Sequence, residues 1–320
     1  MTIMRNADFP FLPKDFIQTK EGLIFAVVSY SPHDEKVGCF LRYIPNGNDW
    51  VKVDTAEANK LLQQSSPQYL YQSKQFDTTF HAVPVTDIVE HHRPEQRLNS
   101  VLGREPDDEI EQKLHKLLPI LMHYGVNSES LGLTGSMLIN QQRSTSDIDL
   151  VVYGRKAFQQ TREAIRQAIL EQKINELDLS LMNDNYHRRA GELDFDEFAW
   201  HEHRKFNKAA IEGTKFDIGM VCLVNELEQD HSQYKKQGKR TIKARLIDDH
   251  RAFDFPAYYR VDDQDTPEVV SYTHTYVGQA KEGETIEVSG SVECDITSGR
   301  CRLIVGSTRE AEGEYIKVCR

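Results

Sequence analysis

A chain of 320 residues can build two or three domains with sizeable cores, and a composition of 39% hydrophobic and 28% charged residues excludes wholesale disorder. A net charge of -11 argues against a uniformly basic nucleic-acid coat, although an acidic protein can still carry a local basic groove. Five scattered cysteines without a C-x-x-C pair, no apolar run of ~18 residues and no signal-like N-terminus set the expectation of a cytoplasmic protein with no membrane span.

Residues 20–53 read as a small antiparallel sheet, with strands at 22–30, 37–44 and 50–53 separated by polar turns, and a helix follows over 56–64 with Thr55 as its cap. Lys36, Arg42 and Lys52 on that sheet read as solvated cations, and His91-His92 before Arg93-Pro94 as a linker. Apolar residues at 110, 114, 117, 118, 121 and 122 predict a helix over 107–124, with Pro119 kinking it or stopping it early. A strand at 131–134, a short helix at 136–140, a polar loop at 141–146 and a strand at 147–153 come next. The amphipathic stretch 154–172 then completes an α/β pattern.

The run DFDEF at 194–198 suits an acidic turn or helix start, and HEH at 201–203 has a spacing that suits a strand or loop without a metal. Residues 215–221 return as a strand holding one acid, Asp217, among apolar neighbours. The basic run 234–245 reads either as a solvated helix or loop, or as a groove for a nucleic-acid acceptor with Tyr234 available for stacking. From about 267 short strand-like pieces suggest a small closed or sandwiched β domain. The acidic runs KEGE (281–284) and EAEGE (310–314) argue against an OB-like, phosphate-tracking face there. Cys294 and Cys301 flank a hairpin turn, face each other across strands, and read as two free thiols.

The chemistry concentrates in LGLTGSMLINQQRSTSDIDLVVY, residues 131–153. Successive strand residues alternate faces, so Asp147 and Asp149 project from one side while Ile148, Leu150 and Val152 occupy the other. Gly135-Ser136, at a strand-to-helix turn, can bring backbone amides and a hydroxyl close to a phosphate. Together with Asp217, these residues resemble the DNA polymerase β-like nucleotidyltransferase superfamily over about 107–225. Crowded carboxylates repel unless divalent cations sit between them, and two ions ~3.5 to 4 Å apart can serve one displacement.

The resemblance implies an α+β protein: a nucleotidyltransferase domain (105–250), built as an α/β unit with a mixed sheet, between a small N-terminal α+β domain (1–95) and a C-terminal β-barrel or sandwich (265–320). It implies an enzyme that moves a nucleoside monophosphate from an NTP, ATP among the candidates, to an acceptor hydroxyl with loss of pyrophosphate. Two Mg²⁺ ions, or Mn²⁺, would sit on Asp147, Asp149 and Asp217, the last holding the ion that activates the hydroxyl. Ser136 and Gly135 would hold phosphates, Arg143 would neutralise them, and Gly219 would leave space. RNA is a candidate acceptor, with Arg204, Lys205, Lys208, Lys239 and Arg240 as candidate contacts. The competing expectation is a non-catalytic nucleotide- or RNA-binding module on the same fold.

Overall fold

A computed structural model describes residues 3, 5–47, 49–189, 191–228, 230, 232–307 and 311–320; Glu310 of the EAEGE run lies outside them. Contacts gather the chain into two compact units, one formed by the chain through Ser73 with Thr78–Ile174 and Ala209–Leu227, the other by Lys74–Asp77, Asn175–Lys208 and Glu228–Arg320. This grouping differs from the division 1–95, 105–250 and 265–320, which follows chain order. Residues 175–208 are grouped with the C-terminal strands.

The first unit opens with β1 (Phe16–Thr19), β2 (Ile24–His33), β3 (Lys36–Asn46), β4 (Asp49–Lys52), α1 (Thr55–Ser65), β5 (Leu70–Ser73), β6 (Thr78–Pro84) and β7 (Ile88–His92). The sheet order is β5-β6-β3-β2-β1-β7, with β4 on β3. The expected strands are present, but the cap of α1 is Asp54, whose side chain accepts from the Glu57 amide while the Glu57 carboxylate accepts from the Asp54 amide. His91 and His92 are strand residues paired with β1, and not a linker. Alternation buries both faces of the sheet: Ile17, Phe25, Cys39 and Leu41 cluster with Ala58 and Leu62 of α1, while Phe16, Ile24 and Tyr43 cluster with Leu138 and Ile139.

His81 sits in this first core, 1% exposed. Its Nδ1 accepts from the Leu41 amide (3.0 Å) and its Nε2 lies 2.8 Å from Asn59 Oδ1, so both bonds are served by the neutral ring. Burial lowers its pKa from 6.5 to about 4. The unfolded chain therefore binds the extra proton first as the pH falls from 6.5 towards 4, and stability present above that window is lost within it. The expected loss from this group is about 3 kcal/mol at 1.36 kcal/mol per pKa unit. Urea midpoints measured between pH 7 and pH 4 should fall accordingly, and His81→Gln should flatten that part of the profile.

After α2 (Pro94–Leu102) and α3 (Glu109–His123), the unit continues with β8 (Leu131–Leu133), β9 (Ile148–Tyr153), α4 (Arg155–Leu170), and, later in the chain, β10 (Lys208–Ile211) and β11 (Thr214–Val221). The helix α3 runs through Pro119 without ending. The sheet order is β10-β11-β9-β8, mixed as expected: β9 and β11 are parallel, β8 and β9 antiparallel. Phe158, Ala164, Ile165 and Ala168 form the buried stripe of α4, which packs on β9 and β11.

In the second unit α5 (Leu179–Arg189) and α6 (Phe195–His203) pack with β12 (Tyr234–Asp248), β13 (Ala257–Val261), β14 (Glu268–Ser271), β15 (Thr285–Asp295), β16 (Cys301–Val305) and β17 (Tyr315–Val318). The strand order β12-β13-β14-β16-β15 is closed by a β12–β15 pairing, so the sheet is a barrel of five strands with β17 added to β15. Inward residues alternate, as in Ile242, Ala244 and Leu246 of β12. Among the described residues no helix is long and apolar enough to cross a membrane.

Candidate active site

β9 and β11 run side by side in register, with Asp149 opposite Asp217 and Val151 opposite Gly219. Asp147 immediately precedes β9 and, two residues from Asp149, shares its face. The preceding turn, Gly135–Ile139, is a short 3₁₀ segment. Gly135 has φ +67°, and a Cβ there would stand 2.2 Å from Asp149 Oδ2. Both the conformation and the space therefore require glycine. The turn is fixed from α2: Arg97 Nε donates to the Met137 carbonyl (2.8 Å) and its Nη2 to Asn140 Oδ1 (2.8 Å). Ser136 is half-buried, its carbonyl accepting from the Gln141 amide.

Two lysines that the sequence reading passed over belong to this cluster. Lys215 lies two residues before Asp217 on the same face of β11, and its Nζ is 2.9 Å from Asp147 Oδ2 and 3.2 Å from Asp217 Oδ2. Its side chain is 3% exposed. Burial opposes its charge, yet the attraction of Asp217 and Asp147 outweighs burial and raises its pKa. Burial first, and then the charge of Asp217, push the Asp149 carboxyl above the usual range, with Lys215 and Lys14 pulling the other way.

Lys14 comes from the N-terminal segment. Its Cε and Nζ lie 3.3 and 3.7 Å from where a Cβ on Gly219 would be, so the space left by that glycine holds a lysine. Its backbone is pinned by the Thr134 hydroxyl, which donates to the Lys14 carbonyl (2.8 Å), and by its amide bond to Val27. Tyr43 is part of the same neighbourhood: burial raises its pKa, and Asp149 adds to the rise.

Among the described residues, no three His, Cys, Asp or Glu side chains are gathered so as to hold a metal ion. The donor chemistry nevertheless suits a hard dication. The set is oxygen-only, and an ammonium already stands in for a cation between Asp147 and Asp217. Asp147, Asp149 and Asp217 supply that donor chemistry.

The remaining expected residues fall elsewhere. Arg143 is exposed in a turn closed by its amide bond to Ser146 Oγ (2.9 Å). Arg204, Lys205, Lys239 and Arg240 belong to the second unit, and Lys208, the first residue of β10, is its boundary residue. Lys205 is 1% exposed, its Nζ held by Glu202 Oε1 and the Thr275 carbonyl, both at 2.7 Å, which removes it from any acceptor surface. Lys208 also pairs with Glu202, and Arg204 pairs with Glu284 while lying over the Trp200 ring. Lys239 donates to the Glu312 carbonyl, and Arg240 pairs with Asp263.

Several local expectations are corrected. HEH at 201–203 ends helix α6, and is not a strand or loop. The basic run is strand β12, whose outward positions carry the cations and whose inward ones join the core. Tyr234 is buried under Arg302, 3.5 Å from its ring centre, and does not offer a stacking face. Cys294 and Cys301, paired across β15 and β16, are joined as a disulfide. The helix start read in DFDEF is present: Asp194 caps α6 by accepting from the Glu197 amide.

Comparison with known proteins bears on this geometry. The nucleotidyltransferase domain model matches residues 108–207, which takes in Gly135, Ser136, Asp147 and Asp149 and ends before Asp217. An uncharacterized protein of Methanocaldococcus jannaschii is 36% identical over 335 residues, covering 96% of this chain and 98% of its own. No solved structure matches the chain. With the glycine turn and the D-x-D strand inside the matched segment, the chain belongs to the polymerase β-like nucleotidyltransferase family, whose domain transfers nucleoside monophosphates.

Proposed function

We propose that the chain transfers a nucleoside monophosphate from an NTP to an acceptor hydroxyl and releases pyrophosphate, with divalent cations, Mg²⁺ or Mn²⁺, held by Asp147, Asp149 and Asp217. The observation that carries this reading is the register of Asp149 with Asp217 on parallel strands beside the Gly135 turn. In the transfer the acceptor oxygen bonds to the α-phosphorus while the bond from that phosphorus to the pyrophosphate oxygen breaks. When bound, the metal supplies Lewis-acid polarisation of the phosphate and a more acidic acceptor hydroxyl.

The chain's own residues set the geometry. The Gly135-Ser136 turn offers amides and a hydroxyl to the phosphates, and Arg97 keeps that turn in place. Lys14 adds positive charge beside Gly219 where the triphosphate is strongly negative. RNA is one acceptor class to test, with protein hydroxyls as the other. Incubation with each α-labelled NTP, Mg²⁺ and either cellular RNA or protein is expected to label one acceptor pool. Absence of label from all four NTPs under both conditions would sink the reading.

A non-catalytic nucleotide binder is favoured by one observation: Lys215 Nζ pairs with two of the three acids and offsets their charge. Calorimetry discriminates between the two. NTP binding that is indifferent to Mg²⁺ belongs to the binder, and binding that requires Mg²⁺ belongs to the enzyme.

A further inference from the structure

The three acids and the two lysines are not balanced as a site for two dications. Asp147, Asp149 and Asp217 bring three negative charges, and Lys215 and Lys14 return two positive ones within the same cluster. One further dication brings the cluster close to neutrality, whereas two would leave it strongly positive before any nucleotide arrives. The position of Lys215 is also not that of a surface cation that visits the acids. Its side chain is 3% exposed, rises from β11 on the Asp217 face, and reaches an oxygen of each of two different carboxylates. Moving it aside would leave two partly buried carboxylates without their ammonium partner.

We infer that Lys215 is a built-in cation that holds one of the two cation positions of the carboxylate cluster, so that the site takes a single divalent ion. Asp149, with Oδ2 directed at the Gly135 turn, is then the carboxylate not engaged by Lys215 Nζ in an ion pair, and it serves that one ion together with Asp147 and Asp217. This rests on reading the three acids as the metal-binding set. It replaces the two-ion expectation drawn from the family by a lysine-plus-one-ion arrangement specific to this chain. The acceptor side of the site, bounded by Asp217, would then be charged by an ammonium that no chelator can remove.

The test counts ions on the full-length protein, without nucleotide, by electron paramagnetic resonance of free Mn²⁺ during titration. Wild type is expected to bind one Mn²⁺ at the cluster, Lys215→Met two, and Lys215→Arg one, with the cluster ions identified by their loss in Asp149→Asn. Equal counts in wild type and Lys215→Met, or no cluster ion in either, would overturn the inference. Two cluster ions in wild type would do so even if neither Lys215 variant folds. The transferase reading fails on different grounds, since absence of labelled product leaves the ion count unchanged.

Discussion

Asp149→Asn is expected to lower nucleotidyl transfer by about 10³-fold, the scale on which loss of a charge-stabilising group acts on such chemistry, while the urea midpoint of the protein stays level or rises. Both halves follow from one arrangement. The Asp149 carboxylate is half-buried opposite Asp217, and burial together with that like charge raises its pKa. The folded carboxyl thus keeps its proton at a pH where the unfolded one has lost it, so wild-type stability falls as pH rises through that interval. The amide keeps the shape and removes the charge, so the variant escapes this loss. Activity close to wild type would remove Asp149 from the chemistry. A large drop in midpoint would show the carboxylate to be a structural anchor.

Much of this arrangement was legible because it is local. The two-residue alternation of a strand puts Asp147 and Asp149 on one face, the apolar neighbours of Asp217 mark its strand, and the same alternation counted back from Asp217 gives Lys215. Lys14 had no such signal, since its place over Gly219 comes from backbone pairing with β2 and from Thr134, contacts distant in sequence. The basic run reads as a helix, loop or groove because its cations dominate the segment, whereas they are the outward half of an alternating strand whose inward residues, among them Ile242 and Ala244, join the core. The hairpin carrying Cys294 and Cys301 was found, but the expectation of a reducing compartment decided against the bond that the register permits. Arg97 was invisible for a different reason: its partners are mainly backbone and amide oxygens of a turn whose shape no periodicity encodes.

Arg5→Met is expected to destabilise the first unit by about 3–5 kcal/mol, the range for removing one partner of a buried ion pair. Arg5 Nη1 donates to Asp15 Oδ2 (2.5 Å), and its Nε and Nη2 reach both oxygens of Glu95 at 3.0 and 2.8 Å. The Asp15 side chain is fully buried and also accepts from the Leu12 amide, so without the guanidinium a buried carboxylate is left with the hydrogen bonds from Leu12 and His91 among the described residues. Glu95 in turn accepts from the Tyr153 hydroxyl at the end of β9, the strand that carries Asp149. The network therefore ties the segment bearing Lys14 to the strand bearing the acids. Because the harm comes from an uncompensated charge, Arg5→Met/Asp15→Asn should be more stable than Arg5→Met alone, a positive coupling that a double-mutant cycle in urea would measure. Additive losses would mean that Arg5 acts by packing its stem and not by pairing Asp15. Transfer activity separates the structural from the electrostatic consequence. If the segment positions Lys14, the double variant recovers stability before it recovers affinity for NTP, because the tether to Glu95 and β9 is still missing.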